Sequence, residues 1–172
     1  ACLGTDAYLN DELYDIRNHP GPVRVAKRMR DRLSGSSILE SHLEDDPRVQ
    51  DPYSLRATPT VLGSCLDQLE SIEAVFAREL GAVTDNPIVL HDGRAISGAN
   101  FHGMPLALAL DQLKLSLAAM AGISERRTYW LLSGRDDQSG IPAYLAREAG
   151  LESGLMIACL LYTSDAADEV VR

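Results

Sequence analysis

Residues 104–123 read MPLALALDQLKLSLAAMAGI. Leu106, Leu108, Leu110, Leu113, Leu115, Leu117 and Met120 cover nearly every face of a helix, and a helix apolar all round is buried or spans a membrane. Asp111, Gln112 and Lys114 sit at its centre, where hydrocarbon would make them costly. The stretch therefore predicts the central helix of a water-soluble bundle, covered in part by other subunits. Ser124 to Arg127 continues or restarts it, and Tyr129 to Leu132 finishes it.

Working outward, a second long helix is predicted over 58–80. Val61, Cys65, Leu69, Ile72, Phe76 and Leu80 recur at helical spacing, and Gly81 is the expected stop. Cys65 lies on that apolar stripe, which predicts a buried, inert thiol. Between the two helices, Ile88-Val89-Leu90 and Arg94-Ala95-Ile96-Ser97 flank His91-Asp92-Gly93, a hairpin signal. AVTDNP (residues 82–87) predicts a turn in which Asp85 and Asn86 cap backbone groups. Towards the N-terminus, Tyr8, Leu9, Leu13, Tyr14 and Ile16 suit a short amphipathic helix. His19-Pro20-Gly21-Pro22 reads as a turn and breaker, with His19 structural. A helix over 22–33 follows, with Val23, Ala26, Met29, Arg30 and Leu33 near one face. Its basic run, 24–32, reads as a solvated face, because acids crowd positions 31–46. His42 is a loop histidine. Residues 133–140 read as polar loop, 141–145 as a short ordered stretch, and Gly150 as a breaker. The fold class is mainly α: a long-helix bundle with one short β-hairpin.

Composition narrows the function. Of 172 residues, 45% are hydrophobic and 24% charged, ordinary for a soluble domain with a real core. A net charge of −9 argues against nucleic acid or an anionic membrane as partner. Cys2, Cys65 and Cys159 are isolated, so neither a metal spacing nor a disulfide framework is read, and a reducing cytoplasm fits. The first residues lack a basic region followed by an apolar run, so no secretory signal is read.

The chemistry is expected at QDPYSLR (residues 50–56). Asp51 suits a helix N-cap and Pro52 a first helical position. Tyr53 and Arg56 are then three apart and share a face. A phenol and a guanidinium at the positive end of a helix would hold an anion such as a carboxylate, although a capped helix with a surface arginine has the same spacing.

VQDPYSLR (residues 49–56) resembles the signature of the aromatic amino acid ammonia-lyases, in the form of the histidine branch. AVTDNP, SGANFHG (97–103), ISERR (123–127) and SGLMIA (153–158) follow in the family's order, and the resemblance covers roughly 15–158. It implies a helical bundle of the ammonia-lyase and fumarase-like type. It implies elimination of ammonia from L-histidine to give urocanate, through a methylidene-imidazolone electrophile that an Ala-Ser-Gly tripeptide forms on itself. It assigns Tyr53 a catalytic place near the electrophile, Arg56 the substrate carboxylate, Gln50 an amide contact to the reacting group, and Phe101 the pocket wall. It implies no metal, a small amino acid substrate, and a homotetramer whose sites draw on three subunits.

No Ala-Ser-Gly occurs here. The family's tyrosine base would lie upstream and its glutamate loop downstream, so the sequence reads as an internal piece of the lyase, inactive alone. Gly81, Thr60 and Glu152 depart from the usual pattern. A tyrosine or phenylalanine lyase or an aminomutase on the same scaffold is the near alternative, and a non-catalytic helical interaction module the distant one. CLLYTSDAADE (159–169) resembles a translated sequencing adapter. Residues 159–172 are therefore expected to be an unstructured tail outside the lyase domain of residues 1–158.

Overall fold

A computed structural model describes residues 4–41, 44, 46, 48–135 and 140–160. The elements are α1 (Asp11–Asp15), α2 (Pro20–Leu33), α3 (Ser37–Glu40), α4 (Tyr53–Arg56), α5 (Thr58–Glu79), β1 (Ile88–Val89), β2 (Ala95–Ile96) and α6 (Met104–Leu132). Single 3-10 turns lie at Ala7–Leu9 and Ala143–Leu145. The expected helical bundle with one short hairpin is what forms. Residues 161–172 lie outside the described part, as does His42, whereas Cys159 and Leu160 close a helical turn begun at Met156.

Helix α6 runs unbroken for 29 residues, so Ser124 to Arg127 continue it. Its buried positions, Ala109, Ser116, Ile123 and Leu132, make one narrow stripe. That stripe faces α5: the Cys65 thiol donates to the Ser116 carbonyl at 3.4 Å, and Arg127 reaches Thr58. The two helices are thus antiparallel. Burial pushes the Cys65 thiol up from its ordinary range, as expected of an inert cysteine. The other faces of α6 lie open. Leu108 is 57% exposed and Leu115 72%, and an ion pair between Asp111 and Lys114 sits among them. By length and composition α6 could cross a bilayer, with a mean hydropathy of 1.4 over its best window.

The helix α2 begins two residues earlier than its sequence suggests. His19-Pro20-Gly21-Pro22 is a helix start rather than a turn, because a first turn has no use for the N–H groups that proline lacks. Gly21 then meets Gly63 of α5 backbone to backbone: a Cβ on Gly21 would stand 2.0 Å from the Gly63 carbonyl oxygen. Arg24 reaches Asp67 at 3.2 Å and also pairs with Glu70, whose carboxyl it holds below the usual range. Lys27 pairs with Asp31, and Arg30 bonds the Leu9 carbonyl and Asp11, so these basic residues are matched by acids. Leu9, Tyr14 and Ala26 form a small core with Tyr8, Val23, Met29 and Leu33 packed on it. Of the amphipathic set near the N-terminus, Leu13 and Ile16 stay exposed, because 3-10 turn and α1 are separate short pieces.

The segment between α5 and α6 is exposed along almost its whole length. β1 and β2 pair antiparallel, Ile88 with Ile96 and Val89 with Ala95. The Asn86 side chain accepts from the Gly98 N–H at 2.8 Å and the Ser97 hydroxyl at 3.1 Å, tying AVTDNP to SGANFHG. Arg94 lowers the Asp92 carboxyl by a hydrogen bond across the hairpin turn.

Candidate functional site

The signature segment folds as a four-residue helix, α4, joined to α5 through Ala57. The expected capping differs. Pro52 has an extended ψ of 139°, so it flanks the helix, Tyr53 is the first helical residue, and Asp51 makes no cap. The Asp51 carboxylate is taken instead by Thr5, whose N–H donates at 2.9 Å and whose hydroxyl donates at 2.6 Å. Asp51 is buried and ties the N-terminal segment to the signature. Four residues also carry little helix dipole, so charge on the side chains, not a helix end, must do any anion binding.

Tyr53 and Arg56 do share a face. The guanidinium carbon lies 5.8 Å from the centre of the Tyr53 ring, within range of a cation–π contact. Arg56 Nε donates to the Asp51 carbonyl at 2.7 Å, which fixes the plane of the fork. Neither Nη has a hydrogen-bond partner among the described residues, leaving two parallel donors available. Tyr53 is 72% exposed and Gln50 is exposed beside it in sequence. The arrangement is an open, cationic, hydrogen-bonding surface suited to one face of a carboxylate.

Phe101 is not part of this cluster. It lies in a turn just before α6, 60% exposed. The α4 end of the molecule is marked on α6 by Arg127, roughly 34 Å from Met104 at the rise of an α-helix. One chain therefore brings Tyr53 and Arg56 together, with Gln50 adjoining, and places Phe101 at the far end of its longest helix.

Behind α4 lies a cavity of about 400 Å³. Met29, Leu33, Leu55, Leu62 and Arg127 are among its lining residues, while Tyr53 and Arg56 are not. The ISERR motif gives Arg127 no role in the sequence, and Thr5, Asp51 and Thr58 carry no signal for their contacts; pairing across such sequence distances has no local signature. The motif SGLMIA has a packing reason: Gly154 has a φ of +48°, and a Cβ there would stand 2.3 Å from the Tyr144 carbonyl oxygen. Among the described residues no cluster of His, Cys, Asp and Glu could hold a metal.

Residues 1–168 match the sequence model of the aromatic amino acid lyase family. Histidine ammonia-lyase of Streptomyces coelicolor is 48% identical over 158 residues, which is 92% of this chain and 31% of that protein. The crystal structure of histidine ammonia-lyase from Trypanosoma cruzi superposes with a TM-score of 0.80 at 35% identity, over 99% of this chain and 31% of that one. Phenylalanine aminomutase of Pantoea agglomerans superposes with a TM-score of 0.85 at 26% identity, covering 99% of this chain and 36% of that one. This chain thus spans about a third of the length of the relatives it matches. With the signature turn, the long antiparallel helices and the ordered motifs all in place, the chain belongs to the aromatic amino acid lyase family.

Proposed function

We propose that this chain is part of a histidine ammonia-lyase, a cytoplasmic carbon–nitrogen lyase that converts L-histidine to urocanate and ammonia. The observation that carries the reading is the Arg56 fork. Its Nε is held by the Asp51 carbonyl, and its two Nη groups are left for the α-carboxylate of an amino acid. Lysine could not reproduce that planar, two-point grip. Tyr53, stacked near the guanidinium, stands where it can help a proton move or orient the amino acid, and Gln50 offers an amide to the reacting group. The family's methylidene-imidazolone, when bound, supplies an electrophile that draws electrons from the substrate and makes ammonia a better leaving group. The donor set fits that partner: an exposed phenol beside Arg56 and an exposed amide at Gln50 suit a polar group contributed by another part of the protein.

A homotetramer with sites shared among subunits fits the separation of Phe101 from Arg56. A Phe101 from a neighbouring copy would serve as pocket wall for this Arg56. The exposed leucines of α6 would then be covered by other copies. The histidine reading is favoured over the aminomutase reading by identity, 48% and 35% against 26%. It is favoured locally by Pro52 and Ser54 within the signature and by Asn100-Phe101-His102 in the pocket string. A site built to hydrogen-bond an imidazole rejects a phenyl ring strongly, since its polar groups lose their partners.

The test is an assay of the complete enzyme on histidine, tyrosine and phenylalanine, followed as arylacrylate absorbance. The expected result is the highest kcat/KM for histidine; a higher value for either other substrate moves the protein to another branch. The adapter reading of 159–172 has its own test: long reads of the source locus should continue past Ala158 without those codons, and their recovery from independent libraries would overturn it.

A further inference from the structure

We propose that Arg127 is a positioning residue that fixes the Tyr53–Arg56 turn from behind and so sets the aim of the carboxylate-binding fork. The inference rests on the role proposed above for Arg56. A helix of four residues cannot hold its own shape in water, since helix nucleation is unfavourable and few hydrogen bonds repay it. The orientation of α4 must come from outside it. Two contacts supply that from the chain itself. At the entry, Thr5 grips the Asp51 carboxylate. At the exit, the Ser54 carbonyl accepts from the Thr58 hydroxyl at 2.7 Å, and Arg127 donates to that hydroxyl at 2.6 Å and to the same carbonyl at 3.4 Å. Ser54 and Thr58 are both buried, so these bonds are shielded from competing water.

Arg127 belongs to the 29-residue α6, which packs along α5, and so it links the turn to the longest rigid element present. Its neighbour Arg126 takes the opposite course, turning outward to Glu125 and the Tyr129 ring. Arg127 lines the cavity behind α4 together with Leu55, not the face that carries Tyr53 and Arg56. Its hydrogen bonds go to Ser54 and Thr58, so its effect on the fork passes through the turn. Loosening the turn would misalign the fork at Arg56, and a misplacement of this kind near a reacting group is costly.

The complete enzyme provides the test, with Arg127→Met, Arg127→Lys and Thr58→Val compared with the parent on whichever aromatic amino acid the parent prefers. Failure of the histidine reading would appear in the parent and leave this comparison intact. For Arg127→Met, kcat/KM should fall roughly 10- to 100-fold, while inhibition by the matching decarboxylated amine stays within about twofold, because only the amino acid needs the fork. Histamine is the amine if histidine is the substrate. Arg127→Lys should recover part of the loss through a single ammonium donor. Thr58→Val keeps the shape and removes the hydroxyl at the centre of the network, so it should show the same carboxylate-selective loss even where Arg127→Met fails to assemble. Parental kinetics in Thr58→Val, or equal weakening of amino acid and amine, would overturn the proposal.

Discussion

The two ends of α6 behave as different materials. Its C-terminal half is an anchored wall: Ile123 and Leu132 are buried, and Arg127 clasps the Ser54–Thr58 junction. Its N-terminal half is covered only along one narrow stripe, at Ala109 and Ser116, with Leu108, Leu110, Leu115 and Leu117 all exposed and an adjoining loop that carries Phe101 into solvent. The N-terminal half is the richer in leucine, with six against two, yet it is the more exposed, so burial does not follow composition. What differs is the neighbour: α5 covers one stripe along both halves, α4 adds to the C-terminal half through Arg127, and among the described residues the remaining faces of the N-terminal half stay exposed. The residues proposed for one reaction are divided between the two ends. In the proposed homotetramer a site split in this way would be completed by association, which would link catalysis to the exposed half as strongly as to the anchored one.

The largest expected effect follows directly. The 172-residue chain by itself should release no urocanate from histidine, since it lacks Ala-Ser-Gly and places Phe101 far from Arg56. Its exposed leucines should also promote aggregation or bind a hydrophobic dye. Measurable turnover by the purified chain would dissolve the distinction between the two ends.

Stability comes next. In the chain alone, Ile123→Ala should cost about 2–5 kcal/mol, the range for emptying a packed position. Leu115→Ala should change stability by about 0.5 kcal/mol or less, as at an exposed site. Urea midpoints of the two variants measure the contrast. In the assembled enzyme the contrast should shrink, because Leu115 would then be covered; a Leu115→Ala variant as stable as the parent in both settings would show that the exposed half stays exposed.

A smaller effect tests the anchored side. Gly63→Ala puts a methyl 2.2 Å from the Pro22 nitrogen, so α2 and α5 must separate. The expected cost is about 1–3 kcal/mol, read as a lowered Tm, as for overpacking elsewhere. An unchanged Tm would mean that the crossing of α2 on α5 is loose. Least of all, Cys65 should not react with a thiol reagent until the chain unfolds, given its burial and raised pKa. Rapid labelling of the native protein would place the α5–α6 seam open to solvent.

Much of this architecture is legible from periodicity. Both long helices and the hairpin follow from spacing, and the Cys65 stripe from its step along α5, because each depends on neighbours close in sequence. Two local readings fail for a shared reason. Asp51 satisfies the rule for an N-cap, and His19-Pro20-Gly21-Pro22 satisfies the rule for a turn. Tertiary partners decide otherwise: Thr5 claims the Asp51 carboxylate, and Gly63 receives Gly21 at a helix crossing. At the site, the shared face of Tyr53 and Arg56 is a three-residue relation and is read correctly. The clasp by Arg127 joins residues far apart in the chain, and no local pattern announces it. The same limit explains why ISERR can be recognised as a motif while its second arginine has no evident task until the fold places it behind α4.

The role of Arg56 as the carboxylate clamp is tested most directly by kcat/KM of Arg56→Ala in the complete enzyme. The expected loss is roughly 2–5 kcal/mol in transition-state binding, the range for breaking a desolvated charge pair. Arg56→Lys should restore only part of it, because an ammonium cannot offer the planar fork. A value for Arg56→Ala equal to the parent's would contradict that role and return Arg56 to the status of a surface residue on a short helix.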